Sequence, residues 1–349
     1  MKLYSKLSAY FRMNRRRRTC SSRMAPEALE VRSLLSPLIK GGIVSGTIGS
    51  AEEVDTWTFT GVKGDRIELI STRVAGQAGF SAFAEVFNSS EKRIASFWSG
   101  TNTVIDLPEP GTFSVKIRDD NRAQTGNYTI GMEGLKPISP NPVTLVKGGI
   151  ATGSILTAVE KDQFTFSAKP GERYEIITTS TAKIAGFTAY TEVFAPSGNR
   201  IAHFWPGTNV VLHDFRETGS YMVQVRDDNY TQTGTYTIGL EGLKPVSPDA
   251  KVLASATTVS MSITAATQKD QWSMSVPVGK KLSITLSQTR IDSGFDVYAD
   301  VYSSSGTRIG GLWSGTTTFT LPGPGVYLIQ VRDGRQFFRG SYKLRAWLV

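Results

Sequence analysis

The residues of this chain whose types and spacing could do chemistry fall into two sets, one rich in oxygen donors and one aromatic. Arg118-Asp119-Asp120-Asn121 returns about 107 residues later as Arg226-Asp227-Asp228-Asn229. Each run offers three oxygen-bearing side chains at a strand-to-loop transition, the donor chemistry that calcium takes six to eight at a time. Glu53, Asp55, Glu160 and Asp162 would add ligands if the fold brought them near. The third copy, Arg332-Asp333-Gly334-Arg335, breaks the pattern. The same residues also read as an Arg–Asp pair with an Asx-type turn closing the last hairpin. The aromatic set is Trp98, Trp205 and Trp313, in the segments Trp98-Ser99-Gly100-Thr101, Trp205-Pro206-Gly207-Thr208 and Trp313-Ser314-Gly315-Thr316. An exposed indole at each place would stack on a sugar face, whereas a buried one would serve core or inter-domain packing.

Catalytic chemistry finds little support. The two histidines, His203 and His213, fall in the same third of the chain and have no counterparts elsewhere. A Ser-His-Asp or Cys-His arrangement needs one of them, and there is no Gly-x-Ser-x-Gly elbow and no His-Glu-x-x-His. Two carboxylates would suffice for glycoside hydrolysis, but the recurring acids sit at turns and strand ends. The sequence holds no P-loop, no dinucleotide fingerprint and no Cys/His cluster for zinc. A non-enzymatic protein is the expectation.

Those candidate residues are held by a module written three times. Asp55-Thr56-Trp57-Thr58-Phe59 returns as Asp162-Gln163-Phe164-Thr165-Phe166 and as Asp270-Gln271-Trp272-Ser273-Met274. A repeat of this length is a whole domain. The expected divisions are a basic leader over 1–40 and repeats over 41–140, 141–248 and 249–349. Within a repeat the apolar period is two: Trp57 and Phe59 alternate with threonines, and Phe113, Val115 and Ile117 alternate with polar residues. That pattern predicts half-buried antiparallel strands. In repeat 1 eight are expected, near 43–48, 54–60, 65–72, 82–88, 93–98, 103–107, 112–118 and 127–133. The fold class is therefore all-β: three tandem antiparallel β-sandwiches of jelly-roll type. The connectors Lys136-Pro137-Ile138-Ser139-Pro140 and Lys244-Pro245-Val246-Ser247-Pro248 predict stiff, extended polyproline-like spacers.

Charge is unevenly placed. The formal net charge is +9, yet residues 1–40 carry ten Lys or Arg against Glu27 and Glu30. The remaining body is near neutral, which argues against nucleic-acid binding by the repeats. The single cysteine, Cys20, precludes an intramolecular disulfide. No apolar run approaches the roughly 20 residues of a membrane-spanning helix.

Two resemblances follow from these motifs. Arg15 to Arg18, followed by Leu29-Glu30-Val31-Arg32-Ser33-Leu34-Leu35, is similar to the leader of many exported proteins of planctomycete-type bacteria. The repeats combine the Asp-x-aromatic strand, a Gly turn at Gly64, Gly171 and Gly279, and closing Gly-x-aromatic strands such as Gly111-Thr112-Phe113 and Gly126-Asn127-Tyr128. This combination resembles the bacterial pre-peptidase C-terminal domain, a β-sandwich of secreted peptidases and other exported proteins. The resemblance covers nearly all of residues 41–349, and no peptidase domain precedes the repeats. It implies an exported, extracellular or cell-surface protein; the triplication, the near-neutral body, the stiff connectors and the missing catalytic groups point to attachment to envelope or extracellular polysaccharide or protein through several weak sites. The alternatives are a carbohydrate-binding protein using one Trp per repeat, and an accessory or inhibitory partner of a secreted peptidase. Calcium is the one cofactor the residues suggest, and self-association through edge strands stays open.

Overall fold

The computed structural model of the chain describes residues 36–74, 78–181, 186–213, 215–291 and 294–349. Most of the basic leader, Cys20 included, lies outside the described residues.

Side chains that alternate between two faces give strands whose apolar face must find a partner. Repeat 1 forms nine strands: β1 (Ser36–Pro37), β2 (Gly42–Ile48), β3 (Asp55–Gly61), β4 (Arg66–Arg73), β5 (Ala82–Phe87), β6 (Arg93–Trp98), β7 (Asn102–Asp106), β8 (Gly111–Asp119) and β9 (Gly126–Lys136). They assemble as one sheet in the order β1-β3-β8-β5-β6 and another in the order β2-β9-β4-β7. The eight strands expected in repeat 1 are present, and the ninth, β1, is too short to show an alternation. It pairs parallel with β3, in contrast to the antiparallel pairing of β3 with β8.

Repeat 2 reproduces the plan with β10 (Val143–Thr144), β11 (Gly149–Ile155), β12 (Lys161–Ala168), β13 (Arg173–Ser180), β14 (Ala189–Phe194), β15 (Arg200–Phe204), β16 (Val210–Leu212), β17 (Gly219–Asp227) and β18 (Gly234–Lys244). Repeat 3 does so with β19 (Lys251–Val252), β20 (Thr258–Ile263), β21 (Asp270–Val276), β22 (Leu282–Ile291), β23 (Val297–Tyr302), β24 (Arg308–Trp313), β25 (Gly315–Phe319), β26 (Gly325–Asp333) and β27 (Gly340–Leu348). Each repeat thus holds one five-stranded and one four-stranded sheet in the same strand order.

Each sheet pair encloses its own core, with Phe59, Phe113 and Tyr128 in repeat 1 answered by Phe166, Tyr221 and Tyr236 in repeat 2. The recurring Asp of the first motif has a partner across the sandwich. Tyr128 donates its hydroxyl to Asp55 at 2.7 Å, Tyr236 to Asp162 at 2.5 Å and Tyr342 to Asp270 at 2.7 Å. Burial raises the Asp55 carboxyl above its usual range, and the Tyr128 hydroxyl draws it part of the way back.

Successive repeats meet sheet against sheet. Leu135 of β9 lies with Phe194 of β14 and Met222 of β17; Leu243 of β18 lies with Tyr302 of β23 and Leu328 of β26. At the centre of each junction is a buried ion pair: Lys161 Nζ is 2.7 Å from Glu68 Oε1, and Lys269 Nζ is 2.8 Å from Glu175 Oε2. All four side chains are at most 2 % exposed. Gln163 and Gln271 bridge the same seams, donating to the carbonyls of Gly134 at 3.2 Å and Gly242 at 3.1 Å. Gln224 donates to Glu68 Oε2 at 2.8 Å. Close approach favours glycine at one point: a Cβ on Gly239 would stand 3.1 Å from the Thr267 carbonyl and push it back by a few tenths of an ångström.

The proline-rich connectors turn back; they do not extend. Lys136-Pro137 and Lys244-Pro245 are cis, and a bridge joins Leu135 to Ile138 and Leu243 to Val246. Ser139 donates its hydroxyl to Glu133 at 2.6 Å and accepts from the Gly134 N–H at 2.8 Å; Ser247 does the same with Glu241 and Gly242 at 2.7 Å each. A tight turn, exposed at its prolines and buried at its serine, replaces the expected polyproline rod because these local hydrogen bonds, and the partners waiting in the seam, favour the folded-back backbone.

Each seam holds two carboxyls for one lysine. Burial pushes Glu133 up to about 7 and Glu241 up to about 8, with Ser139 and Lys161, or Ser247 and Lys269, pulling the other way. Glu68 and Asp162 push Glu133 further up, and Asp249 and Glu175 do so for Glu241. A carboxyl raised in the fold stabilises fully below its ordinary value of 4.5 and loses that contribution as pH climbs through the raised value. The melting temperature is expected to fall between about pH 4.5 and 8 and to level off above that, and the Glu133→Gln/Glu241→Gln variant to flatten that fall in a thermal scan series. Lys161→Met alone leaves Glu68 buried without its cation and should cost about 3–5 kcal/mol in chemical denaturation, with Glu68→Leu in the same chain restoring most of it.

Candidate functional site

The tryptophans sit at the ends of β6, β15 and β24 or just beyond, where strand alternation sends Phe97, Phe204 and Leu312 inward and the indole outward. Trp98, Trp205 and Trp313 are 51 %, 50 % and 50 % exposed. Each indole leans on a ring from the neighbouring strand: Phe83 at 5.0 Å, Tyr190 at 5.3 Å and Tyr298 at 4.6 Å between centroids. Half the ring is thus held by packing while half faces outward, a geometry that supplies apolar area without loose rotamers.

Behind each supporting ring lies the arginine of the Arg-Asp motif. The guanidinium carbon is 4.8 Å from the Phe83 centroid for Arg118, 4.4 Å from Tyr190 for Arg226 and 4.6 Å from Tyr298 for Arg332. A cation over an aromatic face is attracted by the ring quadrupole. The same guanidinium donates to two loop carbonyls: Asp119 and Asp120 at 2.9 and 2.6 Å, and Asp227 and Asp228 at 2.8 and 2.7 Å. An acid closes the assembly from the side. Glu85 pairs with Arg93, Glu192 with Arg200 and Asp300 with Arg308 across the hairpin, while Arg226 and Arg332 reach Glu192 and Asp300 at 3.3 and 3.2 Å. The Trp series and the Arg of the Arg-Asp motif are far apart in sequence; the fold stacks them, with the acid, into one support.

Where the supporting ring is a tyrosine, its hydroxyl has a partner. Tyr190 meets His203 Nδ1 at 2.6 Å, and Tyr298 accepts from Arg308 at 2.6 Å. The position of His203 is taken by Ser96 beside Phe83, and by Gly311 beside Tyr298, where a Cβ would stand 1.9 Å from the tyrosine oxygen. His203 thus belongs to an aromatic support, with the Trp205 ring 5.9 Å away.

The oxygen donors expected for calcium are arranged as loop closers. Asp119 is fully buried; its Oδ1 accepts from the Ser81 N–H at 3.1 Å and its Oδ2 from Ala123 and Gln124 at 3.0 and 3.1 Å. Burial raises this carboxyl, but the N–H groups outweigh it and hold it below its usual range. Asp227 accepts from Thr188, Thr231 and Gln232, and Asp333 from Asp296, Phe337 and Phe338. The backbones of Asp120 and Asp228 join this loop through the carbonyls already named, and Asn121 and Asn229 stand exposed beyond them. The four auxiliary acids are also engaged: Glu53 and Glu160 accept from the N–H groups of Gly49–Ser50 and Leu156–Thr157, while Asp55 and Asp162 serve the tyrosines. Among the described residues, no three acids, histidines or cysteines gather as a metal site.

One feature had no sequence signal, since it forms only where repeats meet. A groove of about 770 Å³ opens between repeats 1 and 2 beside Trp98, lined by Arg73, Gly79, Ser99, Gly100, Tyr230 and Thr231. At the next seam Phe337 stands where repeat 2 has Thr231, and its ring lies over Gly207.

No protein-family model matches this sequence, and no curated protein matches it. Among solved structures it is similar to the pre-peptidase C-terminal domain of collagenase from Bacillus anthracis, at 13 % identity over 28 % of this chain and 93 % of that one, with a TM-score of 0.24. It is also similar to the CUB1-EGF-CUB2 domains of rat MASP-1, at 12 % identity over 58 % of this chain and 99 % of that one, TM-score 0.18. A third likeness is to the M60 catalytic domain with the CBM51-1 and CBM51-2 domains of Clostridium perfringens ZmpB, at 9 % identity over 52 % of this chain and 32 % of that one, TM-score 0.19. The all-β architecture rests on the strand order given above.

Asp119→Asn weakens the acceptor that serves three backbone N–H groups, each a charge-assisted bond. Urea titration of the variant is expected to show a loss of about 1–3 kcal/mol, equal in calcium and in chelator. A loss confined to calcium-containing buffer would assign ligation to this loop instead.

Proposed function

We propose that this chain is a non-catalytic, exported attachment protein that holds polysaccharide of the cell envelope or extracellular matrix through several weak sites. The observation that carries this reading is the indole repeated once per sandwich, half-exposed each time on the same ring–guanidinium–carboxylate support. A flat apolar ring fixed at a strand end suits the apolar face of a pyranose, and the loop polar groups around it suit hydroxyls. One such contact is weak. Three on a chain whose seams are buried act together, since linked sites gain apparent affinity by about 10²–10⁴ when the ligand reaches them all.

The sandwiches set the geometry. Face-to-face sheets lie about 10 Å apart, so equivalent sheets of successive sandwiches recur about every 20 Å, and each brings its indole with it. A ligand that repeats along its length meets that spacing, whereas a compact small molecule meets one site only.

The test is affinity electrophoresis of the full chain through gels containing a soluble neutral polysaccharide, with parallel pull-downs on insoluble polysaccharide in calcium and in chelator. Retardation is expected, reduced several-fold by any single Trp→Ala change at 98, 205 or 313 and abolished by all three together. Binding that survives the triple change would remove the indoles from the site, and binding that vanishes in chelator would make calcium a participant. No retention on any polymer would overturn the attachment reading.

A further inference from the structure

The four-stranded sheets of repeats 1 and 2 are each covered by the following repeat, and the same sheet of repeat 3 is built differently. Register makes the comparison exact at each position: Glu68 pairs with Glu133 and Glu175 with Glu241, where repeat 3 pairs Ser283 with Trp347. Ile70 pairs with Gly131 and Ile177 with Gly239, where repeat 3 pairs Thr285 with Arg345. Thr72 pairs with Thr129 and Thr179 with Thr237, where repeat 3 pairs Ser287 with Lys343. Both seam carboxylates and the close-approach glycine are gone. The strands β20, β22, β25 and β27 contain no acidic residue at all.

The face that results has its own chemistry. Lys343 and Arg345 are exposed and Trp347 is half-buried, with the Arg345 guanidinium 5.5 Å from the indole centroid. Threonine hydroxyls lie beside them: Thr316 and Thr318 are exposed and Thr285 partly so, Thr285 lying 2.7 Å from Thr316, while Ser283, 3.0 Å from Thr318, is buried beneath. A second copy of the chain would bring the five-stranded face of its repeat 1, where Val54 holds the position of Lys161 and Lys269, and Lys116 that of Gln224 and Gln330. Lys116 is already paired with Glu91 at 2.7 Å, and neither face keeps its half of the lysine–glutamate pair, so the seam that joins successive repeats has no counterpart between copies.

We propose that this four-stranded sheet of repeat 3 binds an acidic, uronate-containing polysaccharide, with Lys343 and Arg345 meeting carboxylates, Trp347 carrying a sugar ring and Thr285, Thr316 and Thr318 taking hydroxyls. Charge complementarity selects the polyanion, and the hydroxyl rows with the indole select a sugar polymer. This site is separate from Trp98, Trp205 and Trp313, so either can fail without the other.

Hydroxyl-radical footprinting of the full chain with oligogalacturonate tests it, because the readout is local to Trp347 and is not confused by polyanion held on the basic leader. Oxidation of Trp347 is expected to slow several-fold, with the protection fading as salt shortens the screening length below about 10 Å. Lys343→Gln/Arg345→Gln, two exposed positions, should remove the protection while leaving the melting temperature and the oxidation of the other tryptophans unchanged. Unchanged Trp347 oxidation with ligand, or equal protection in the double variant, overturns the proposal. Stronger protection by single-stranded DNA than by the uronate also overturns it, as does protection that grows with protein concentration alone, which would mean a second copy.

Discussion

A buried lysine beside a buried glutamate is what the arrangement of this molecule depends on. Neither Glu68 nor Lys161 could remain ionised inside apolar packing alone, because an isolated charge loses several kcal/mol of hydration. Their 2.7 Å contact makes each tolerable only when repeats 1 and 2 sit in one register, and Glu175 with Lys269 repeats the condition at the second seam. The apolar contacts at Leu135 and Leu243 give adhesion without direction. The ion pairs, with Gln163, Gln271 and the folded-back serines, give direction. From that orientation follow the row of indoles on one edge of each sandwich and the groove beside Trp98.

The strands were open to a reading from sequence, and the seams were not, for a physical reason. Alternation such as Trp57-Thr58-Phe59 reports a half-buried strand from local residues alone. Glu68 and Lys161 are 93 positions apart, and each looks like an ordinary surface charge. Their signal is of another kind. Acids at 68 and 175 recur in repeats 1 and 2 but not 3, while lysines at 161 and 269 recur in repeats 2 and 3 but not 1. A feature repeated with that offset marks a face that meets the next copy. A feature present in all three, such as Trp98, Trp205 and Trp313, marks something each sandwich carries for itself.

The oxygen-donor runs show the opposite limit. Asp119-Asp120-Asn121 has the composition of a calcium loop, and composition cannot say whether the lone pairs are already taken. In the fold, three backbone N–H groups take those of Asp119, and Arg118 takes the neighbouring carbonyls. The connectors misled: Pro137 and Pro140 suggest extension, but Ser139 between them supplies the hydrogen bonds of a turn.

The middle sandwich differs from its neighbours in having both kinds of seam face, lysine and glutamines on β12 and β17, glutamates on β13 and β18. It is therefore the one module whose duplication would leave every contact satisfied, since its own four-stranded sheet matches its own five-stranded sheet. A gene copying that segment in place would lengthen the row by about 20 Å per copy and keep both ends as they are. Copying either outer module would instead trap a mismatched face within the row. Of the three modules here, only the middle one can be copied in place without creating a mismatched seam.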